Sequence, residues 1–216
     1  MASKRFITSA PRQRIQRPDS GEIIPYEAVD NDKLYHPESG SYPVMNLLHA
    51  YVEAGDQVEI LVITADYDFC HENYRIIEQE ALALCQEKRA TSVQVTKIPV
   101  EFSEHSENHL DIFRKLIAHI QENDRLYACI TYGSKPTPLL QIMALNYGYR
   151  TFKNVCIEAI VYGEMDHKSG RKRIFDVTAL FLMDQIINEL SQHKHHNVLS
   201  VIENLLSDTE DFDEGE

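Results

Sequence analysis

A short polar turn between two apolar segments carries the residue types best suited to binding a phosphate group. Residues 131–137, Thr-Tyr-Gly-Ser-Lys-Pro-Thr, supply hydroxyl groups, one glycine and one cation. The apolar run 126–131 predicts a buried strand before it, and the run 138–145 predicts a buried helix after it. A helix amino terminus beyond a strand offers free N–H groups and a partial positive charge, which bind anions. An ordinary strand-to-helix turn with proline in the first helical turn is the competing interpretation.

Each residue type in this turn has a distinct use. Gly133 lets the backbone approach a ligand closely, Lys135 adds a full positive charge, and hydroxyl groups donate hydrogen bonds. The candidate contacts here are Thr131, Tyr132, Gly133, Ser134, Lys135 and Thr137. Neither a Walker loop nor a GxGxxG motif is present, so the usual nucleotide fingerprints give no support.

Two other predicted strands also end in polar residues. The strand at 5–9 ends in Thr8 and Ser9, and the loop that follows contributes Ala10 and Arg12 as candidate phosphate contacts. A solvated loop is the alternative there. The strand at 57–64 ends in Thr64, and Asp66 follows as a candidate for a ribose or a metal, or simply as the end of the strand. Carboxyl ends of parallel strands meet at one edge, where ligands bind in open α/β sheets.

Composition and charge favour one acidic globular domain. The chain has 216 residues, 43% of them hydrophobic, and a formal net charge of −13. Seven acids occur among the last fourteen residues, whereas the first seventeen hold five cations and no acid. A net acidic surface argues against duplex nucleic acid as a partner, because neutralising many phosphates needs many cations. A small phosphorylated ligand in a local basic pocket is compatible with this charge.

The cysteines, the apolar segments and the spacing of the histidines together predict a cytoplasmic protein without metal or cofactor. Four cysteines without a CxxC pair indicate buried free thiols in a reducing compartment. No segment reaches the ~18 consecutive apolar residues of a membrane span, and no signal sequence follows the N-terminus, so no membrane association is expected. His105 and His109 have a spacing compatible with a metal, but a solvated helix face is the favoured interpretation.

Strands alternating with helices predict an α/β, Rossmann-like fold with a mostly parallel sheet and helices on both faces. Predicted strands lie at 5–9, 22–29, 57–64, 92–98, 126–131, 155–162 and 173–177, the second forming a hairpin with the segment before it. Predicted helices lie at 44–54, 74–86, 106–121, 138–145, 178–190 and 198–206. The domain is expected to span 1–192, with a short helix and a disordered acidic tail at 193–216.

Three short motifs in this order resemble the CARF domain, the CRISPR-associated Rossmann fold. They are the turn and helix at 131–147, the strand at 155–163 that ends in Tyr-Gly, and Ile-Phe-Asp-Val-Thr-Ala-Leu at 174–180. The resemblance spans residues 4–192. It departs at the turn, where Tyr132 replaces the usual histidine and Lys135 stands where many members have arginine.

The resemblance implies a homodimer whose two strand-end edges form one pocket for a cyclic oligoadenylate, with cyclic tetra-adenylate as the first expectation. Thr8, Ser9, Gly133, Ser134 and Lys135 are the matching residues. A two-fold symmetric ring suits an isologous dimer.

Two functions follow from the resemblance. A metal-independent ring nuclease would use Lys135 to neutralise charge and Ser9 and Ser134 to orient phosphate oxygens, with no histidine evident as a base. A non-catalytic sensor would instead change shape and regulate a separate effector protein. An unrelated doubly wound protein that binds a small phosphorylated metabolite is a third alternative.

Overall fold

The computed structural model describes residues 3–15, 24–38, 41–101, 105–166 and 169–192. Within these residues the strands are β1 (Ser3–Ser9), β2 (Glu27–Ala28), β3 (Gln57–Ala65), β4 (Ser92–Val100), β5 (Arg125–Cys129), β6 (Cys156–Met165) and β7 (Lys172–Asp176). The α-helices are α1 (Pro43–Tyr51), α2 (Asp68–Glu87), α3 (Ser106–Ile117), α4 (Pro136–Thr151) and α5 (Thr178–Gln192). A turn of 3₁₀-helix covers Asp32–Leu34.

The described strands form one sheet in the order β2-β7-β6-β5-β1-β3-β4. Neighbouring strands run parallel except β6 and β7, which form an antiparallel hairpin. The chain adds β3 and β4 on one side of β1, then returns to add β5 and β6 on the other. Because such crossovers are right-handed, α1 and α2 cover one face and α3 and α4 the other; α1 contacts α2 and α3 contacts α4. The predicted α/β, mostly parallel fold is confirmed.

The central strands are buried along most of their length because helices cover both faces. In β1 every residue from Arg5 to Ser9 is buried, and in β3 every residue from Ile60 to Thr64 is buried. The rings of Phe6 and Tyr127 stack with centroids 4.4 Å apart and planes 11° from parallel. Such a pair contributes roughly 0.5–1.5 kcal/mol beyond its buried area, which helps fix β1 beside β5.

Two predicted elements are corrected in position or pairing. Within 24–38 the strand is limited to Glu27–Ala28, and it pairs in parallel with Arg173–Ile174 instead of forming a hairpin. The open edge of β7 offers unpaired backbone groups that this short strand satisfies; residues 16–23 lie outside the described residues. Helix α2 begins at Asp68, six residues before the predicted start, because its first turn is polar and breaks the apolar periodicity.

Two burial predictions are wrong. Helix α4 is not buried all round: Leu139 is 61% exposed and Met143 is 48% exposed, because one side of the helix packs on the sheet and α3. Cys156 is exposed at the start of β6, whereas Cys70, Cys85 and Cys129 are buried free thiols.

The amino-terminal edge of the sheet holds a buried ionic network. The Arg5 side chain is 4% exposed, and its Nε donates to Asp124 Oδ2 at 2.8 Å while its Nη1 contacts Glu59. Glu59 Oε1 also accepts from Thr96 Oγ1 at 3.0 Å and lies 2.8 Å from His119 Nδ1. The network therefore ties β1 to β3, β4 and the residue that precedes β5.

The chain divides into two compact units, Met1–Asp176 and Val177–Glu216, and α5 belongs to the second. The predicted helix at 198–206 and the acidic tail lie outside the described residues, and the domain boundary at 192 stays a prediction. Within the described ranges, no helix combines the length and apolar character that crossing a bilayer requires.

We expect Arg5→Met to lower the free energy of unfolding by about 3–5 kcal/mol, because Asp124 would stay buried without its cation. Chemical denaturation at pH 7 measures the change. Lys115→Met is the control, since Lys115 forms a more exposed ion pair with Asp111 and its loss should cost far less. Equal losses in the two variants would contradict a structural role for the buried network.

Candidate ligand-binding site

The reversal of strand order between β1 and β5 creates a crevice at the carboxyl edge of the sheet. Ile7 of β1 pairs with Ala128 of β5, so both strands end at the same level. Ligands of open α/β folds bind at such a switch point because the loops that follow its two strands diverge to opposite faces. The loop after Ser9 and the turn after Cys129 therefore face each other.

Internal hydrogen bonds fix the turn after β5. Thr131 Oγ1 accepts from the N–H of Gly163 at 2.8 Å, which fastens the turn to β6. Thr137 Oγ1 accepts from the N–H of Ser134 at 3.1 Å and lies 2.9 Å from Ser134 Oγ. Gly133 has φ +121°, and a Cβ there would lie 2.7 Å from Thr137 Cβ. The turn therefore needs glycine for both its backbone angle and its close packing.

A buried asparagine holds the cationic loop after β1. Asn73 of α2 is 3% exposed, and its Nδ2 donates to the carbonyls of Pro11 at 2.8 Å and Gln13 at 2.9 Å. Tyr42 Oη donates to Asn73 Oδ1 at 2.8 Å, which fixes the orientation of the amide. Because both amide hydrogens bind the loop backbone, the loop that carries Arg12 has a defined course.

A cleft of about 890 Å³ lies between this loop, the turn and the β6–β7 hairpin. Its volume falls within the range of small-ligand pockets. Cations and aromatic rings are prominent in its wall, notably Arg12, Arg14, Tyr26, Tyr132, Tyr162 and Lys172. That mixture suits a ligand with both phosphate groups and flat bases.

The structure brings eight of the predicted residues together at two adjoining cavities. Arg12, Thr131, Tyr132 and Gly133 line the large cleft. Ser9, Ala10, Ser134 and Thr137 line a second cavity of about 30 Å³, to which Arg12 and Gly133 also contribute. The second cavity has room for about one water molecule; Ser9 is buried there, whereas Ser134 is only half-buried.

Four predicted residues line neither cavity. Thr8 is buried at the carboxyl end of β1. Thr64 is buried and donates to the Val62 carbonyl at 3.1 Å.

The other two of these residues are exposed. Asp66 lies beyond β3, with its Oδ1 3.1 Å from His71 Nε2. Lys135 precedes the first residue of α4. Their assigned contacts stay predictions.

The phenols of the cleft are neutral hydrogen-bonding groups. Tyr132 Oη donates to the carbonyl of Ser41 at 3.4 Å, and burial raises the pKa of Tyr26 to about 12. Burial also raises the pKa of Tyr132 well above its usual value. Both side chains therefore stay protonated near neutral pH and serve as donors or packing surfaces, not as bases.

Thiol and metal chemistry find no support among the described residues. Burial raises the pKa of the Cys129 thiol behind the turn, so no reactive thiolate forms there. No group of three or more His, Cys, Asp or Glu side chains in the described part of the chain has an arrangement that could hold a metal ion. The expected lack of a metal or cofactor stays a prediction.

Several residues that line these cavities were not predicted from the sequence, among them Tyr162, Lys172 and His109. Tyr162 and Lys172 belong to the β6–β7 hairpin, which the pairing of β6 with β5 brings to the large cleft. His109, interpreted as part of a solvated face, lines the small cavity with Ser9 and Ser134, and its Nε2 is buried. The four-residue spacing between His105 and His109 predicts that both lie on one face of a helix. It does not predict whether that face points to solvent or to the cavity.

Among known proteins, the chain has a weak similarity to a CRISPR-associated protein. No protein-family model matches the sequence. The chain is similar to CRISPR-associated protein MJ1674 of Methanocaldococcus jannaschii, with 27% identity over 115 residues, which are 52% of this chain and 18% of that protein. The matched segment therefore spans less than a fifth of the relative's length.

We expect Gly133→Ala to destabilise the fold more than Gly55→Ala, and to weaken any ligand bound in the cleft. Both glycines have positive φ, +121° and +90°, but nothing lies within 4 Å of a Cβ at Gly55. The control therefore measures the backbone strain of about 1–3 kcal/mol by itself. Denaturant unfolding of both variants measures the difference; equal losses would mean that Thr137 moves aside at no cost.

Proposed function

We propose that this protein binds a cyclic oligoadenylate in a CRISPR-related antiviral response, with cyclic tetra-adenylate as the preferred ring. The observation that carries the proposal is the cleft at the β1–β5 switch point, which joins cations with aromatic rings. Arg12 and Lys172 suit phosphates, while Tyr162, which is 42% exposed, offers a face for a base. The similarity to a CRISPR-associated protein and the order of the three CARF-like motifs support this role.

The ring would be held by a homodimer in which two copies of the cleft face each other. A cyclic oligoadenylate with two-fold symmetry presents identical phosphates to both copies. Leu139 and Met143 form an exposed apolar pair one turn apart on α4, just beyond the ligand-binding turn. Burial of this pair against the partner would remove apolar area from water. Lys135, exposed at the start of the same helix, would then stand near the shared pocket.

Cleavage would follow from positioning and charge stabilisation. The ribose 2′-oxygen attacks the adjacent phosphorus while the bond from phosphorus to the 5′-oxygen breaks. The 2′-hydroxyl loses its proton and the 5′-oxygen gains one, which leaves a 2′,3′-cyclic phosphate and a 5′-hydroxyl. Lys135 would neutralise the negative charge that grows on the phosphate oxygens.

The serines would orient the phosphate. Ser9 Oγ lies 3.4 Å from Gln141 Nε2 and accepts from it, which leaves the serine hydrogen for donation to a phosphate oxygen. Ser134 carries the second hydroxyl. Ser9 is buried and shares the small cavity with the turn at 131–137, so a phosphate would reach Ser9 only if that turn moves on binding; Ser134 is half-buried.

The position of the serines favours a second candidate, a sensor that binds the ring without cutting it. The buried Ser9 hydroxyl cannot align a phosphate unless the turn at 131–137 opens. A ring that prefers the open turn would shift the protein toward that conformation, and a separate effector protein would respond.

Incubation with labelled cyclic tri-, tetra- and hexa-adenylate in the presence of EDTA tests both candidates. Linear products carrying a 2′,3′-cyclic phosphate identify the ring nuclease, and retention of intact ring identifies the sensor. We expect Lys135→Ala to slow cutting by about 10²–10³-fold, the typical loss when one charge-stabilising group is removed. Lys153→Ala, at another exposed lysine, is the control. Binding of no ring would contradict the proposed function.

We expect the double variant Leu139→Glu, Met143→Glu to be monomeric and to bind rings weakly, because charge prevents burial of that surface. Light scattering after size-exclusion chromatography measures the mass. The control is Leu82→Glu on α2, which is also exposed, at 42%. A double variant that keeps the wild-type mass would exclude this surface as the dimer interface.

A further inference from the structure

A lysine on the β6–β7 hairpin lines the cleft although its side chain is almost entirely buried. Lys172 begins β7, opposite Met165 of β6, and is 8% exposed. Its Nζ lies 5.6 Å from the centre of the Tyr26 ring. Burial lowers the pKa of this amine, as expected for a cation removed from water. Nothing in the local sequence distinguishes it from the other lysines of the chain.

A desolvated ammonium group attracts an anion more strongly than an exposed one, because the surrounding medium screens the charge less. The face of an aromatic ring offsets part of the cost of burying the cation, by up to about 2 kcal/mol. Lys172 therefore combines a held position with a charge that solvent screens only in part. Lys135 is exposed and hydrated, so its interaction with a phosphate is weaker in the single chain.

The surroundings of Lys172 indicate which kind of anion would fit. Tyr162 lies on the neighbouring strand, lines the same cleft and is 42% exposed, so a flat base can stack on it. Gly163 allows the backbone of β6 to pack directly against Pro43 and Tyr26. A Cβ at this position would lie 2.3 Å from Pro43 Cγ and 3.2 Å from the Tyr26 ring. Arg12 stands in the loop wall of the cleft and provides a second cation.

We infer that Lys172 and Tyr162 form a nucleotide subsite on the hairpin side of the cleft, with Lys172 binding a phosphodiester and Tyr162 stacking on the attached adenine. This assignment rests on the proposed function, because it names the residues that would hold one nucleotide of the ring. It also predicts that linear oligoadenylates bind to the same subsite. The turn at 131–137 and the hairpin then contact different nucleotides of the ring.

The test compares Lys172→Met with wild type by calorimetric titration of cyclic tetra-adenylate and of linear tetra-adenylate. We expect the affinity for each probe that wild type binds to fall about tenfold or more, which corresponds to about 1.4 kcal/mol. Methionine has a similar shape and no charge, so the unfolding midpoint should stay the same or rise. Lys153→Met is the control and should bind as wild type does. Lys172→Arg, which keeps the charge, should recover part of the affinity.

Tyr162→Leu provides an independent variant should Lys172→Met fail to fold. Its side chain is partly exposed, so the fold should tolerate the change while affinity falls by the roughly 1–3 kcal/mol of a lost stacking contact.

The outcomes separate the two proposals. Wild-type affinity in folded Lys172→Met, or in Tyr162→Leu, would overturn the subsite and leave the proposed function standing. If wild type binds the linear but not the cyclic adenylate, the proposed function is contradicted. The affinities of the variants for the linear adenylate then still test the subsite. Binding of neither probe would end both.

Discussion

The ion pairs of Arg5 set the position of the central strand and, through it, the shape of the candidate site. Arg5 joins Asp124 and Glu59 at the amino edge of the sheet, where all three side chains are at most 15% exposed. Its fork-shaped guanidinium can satisfy two carboxylates at once, which an ammonium group cannot do with the same directionality. β1 is thereby fixed between β3 and β5, and the carboxyl ends of β1 and β5 meet at the switch point.

The opposite edge of the sheet depends on close packing and backbone hydrogen bonds. Asn73 binds two loop carbonyls, and Thr131 binds the N–H of Gly163, so the two loops that border the cleft are fixed from behind. The turn itself is held by hydrogen bonds between Ser134 and Thr137, and it contains one positive-φ glycine, Gly133.

The charges on the two sides of the cleft differ in environment. Arg12 belongs to a loop, whereas Lys172 belongs to a strand and is nearly buried. A rigid inner cation suits recognition, because it loses little side-chain freedom on binding.

The sequence by itself determined the alternation of strands and helices, the order of the motifs and the polar strand ends, because periodicity and turn chemistry are local properties. It also identified the residues 131–137 and the loop with Arg12, which the fold does bring together. Tertiary structure decided which hydroxyls face a cavity: Thr8 and Thr64 turn into the sheet, while Thr131 faces the cleft. Strand alternation predicts two faces but does not say which residue at a strand end points to solvent. Tertiary structure also brought Tyr162 and Lys172 to the site, because strand order in a sheet is set by non-local pairing and not by neighbours in the chain.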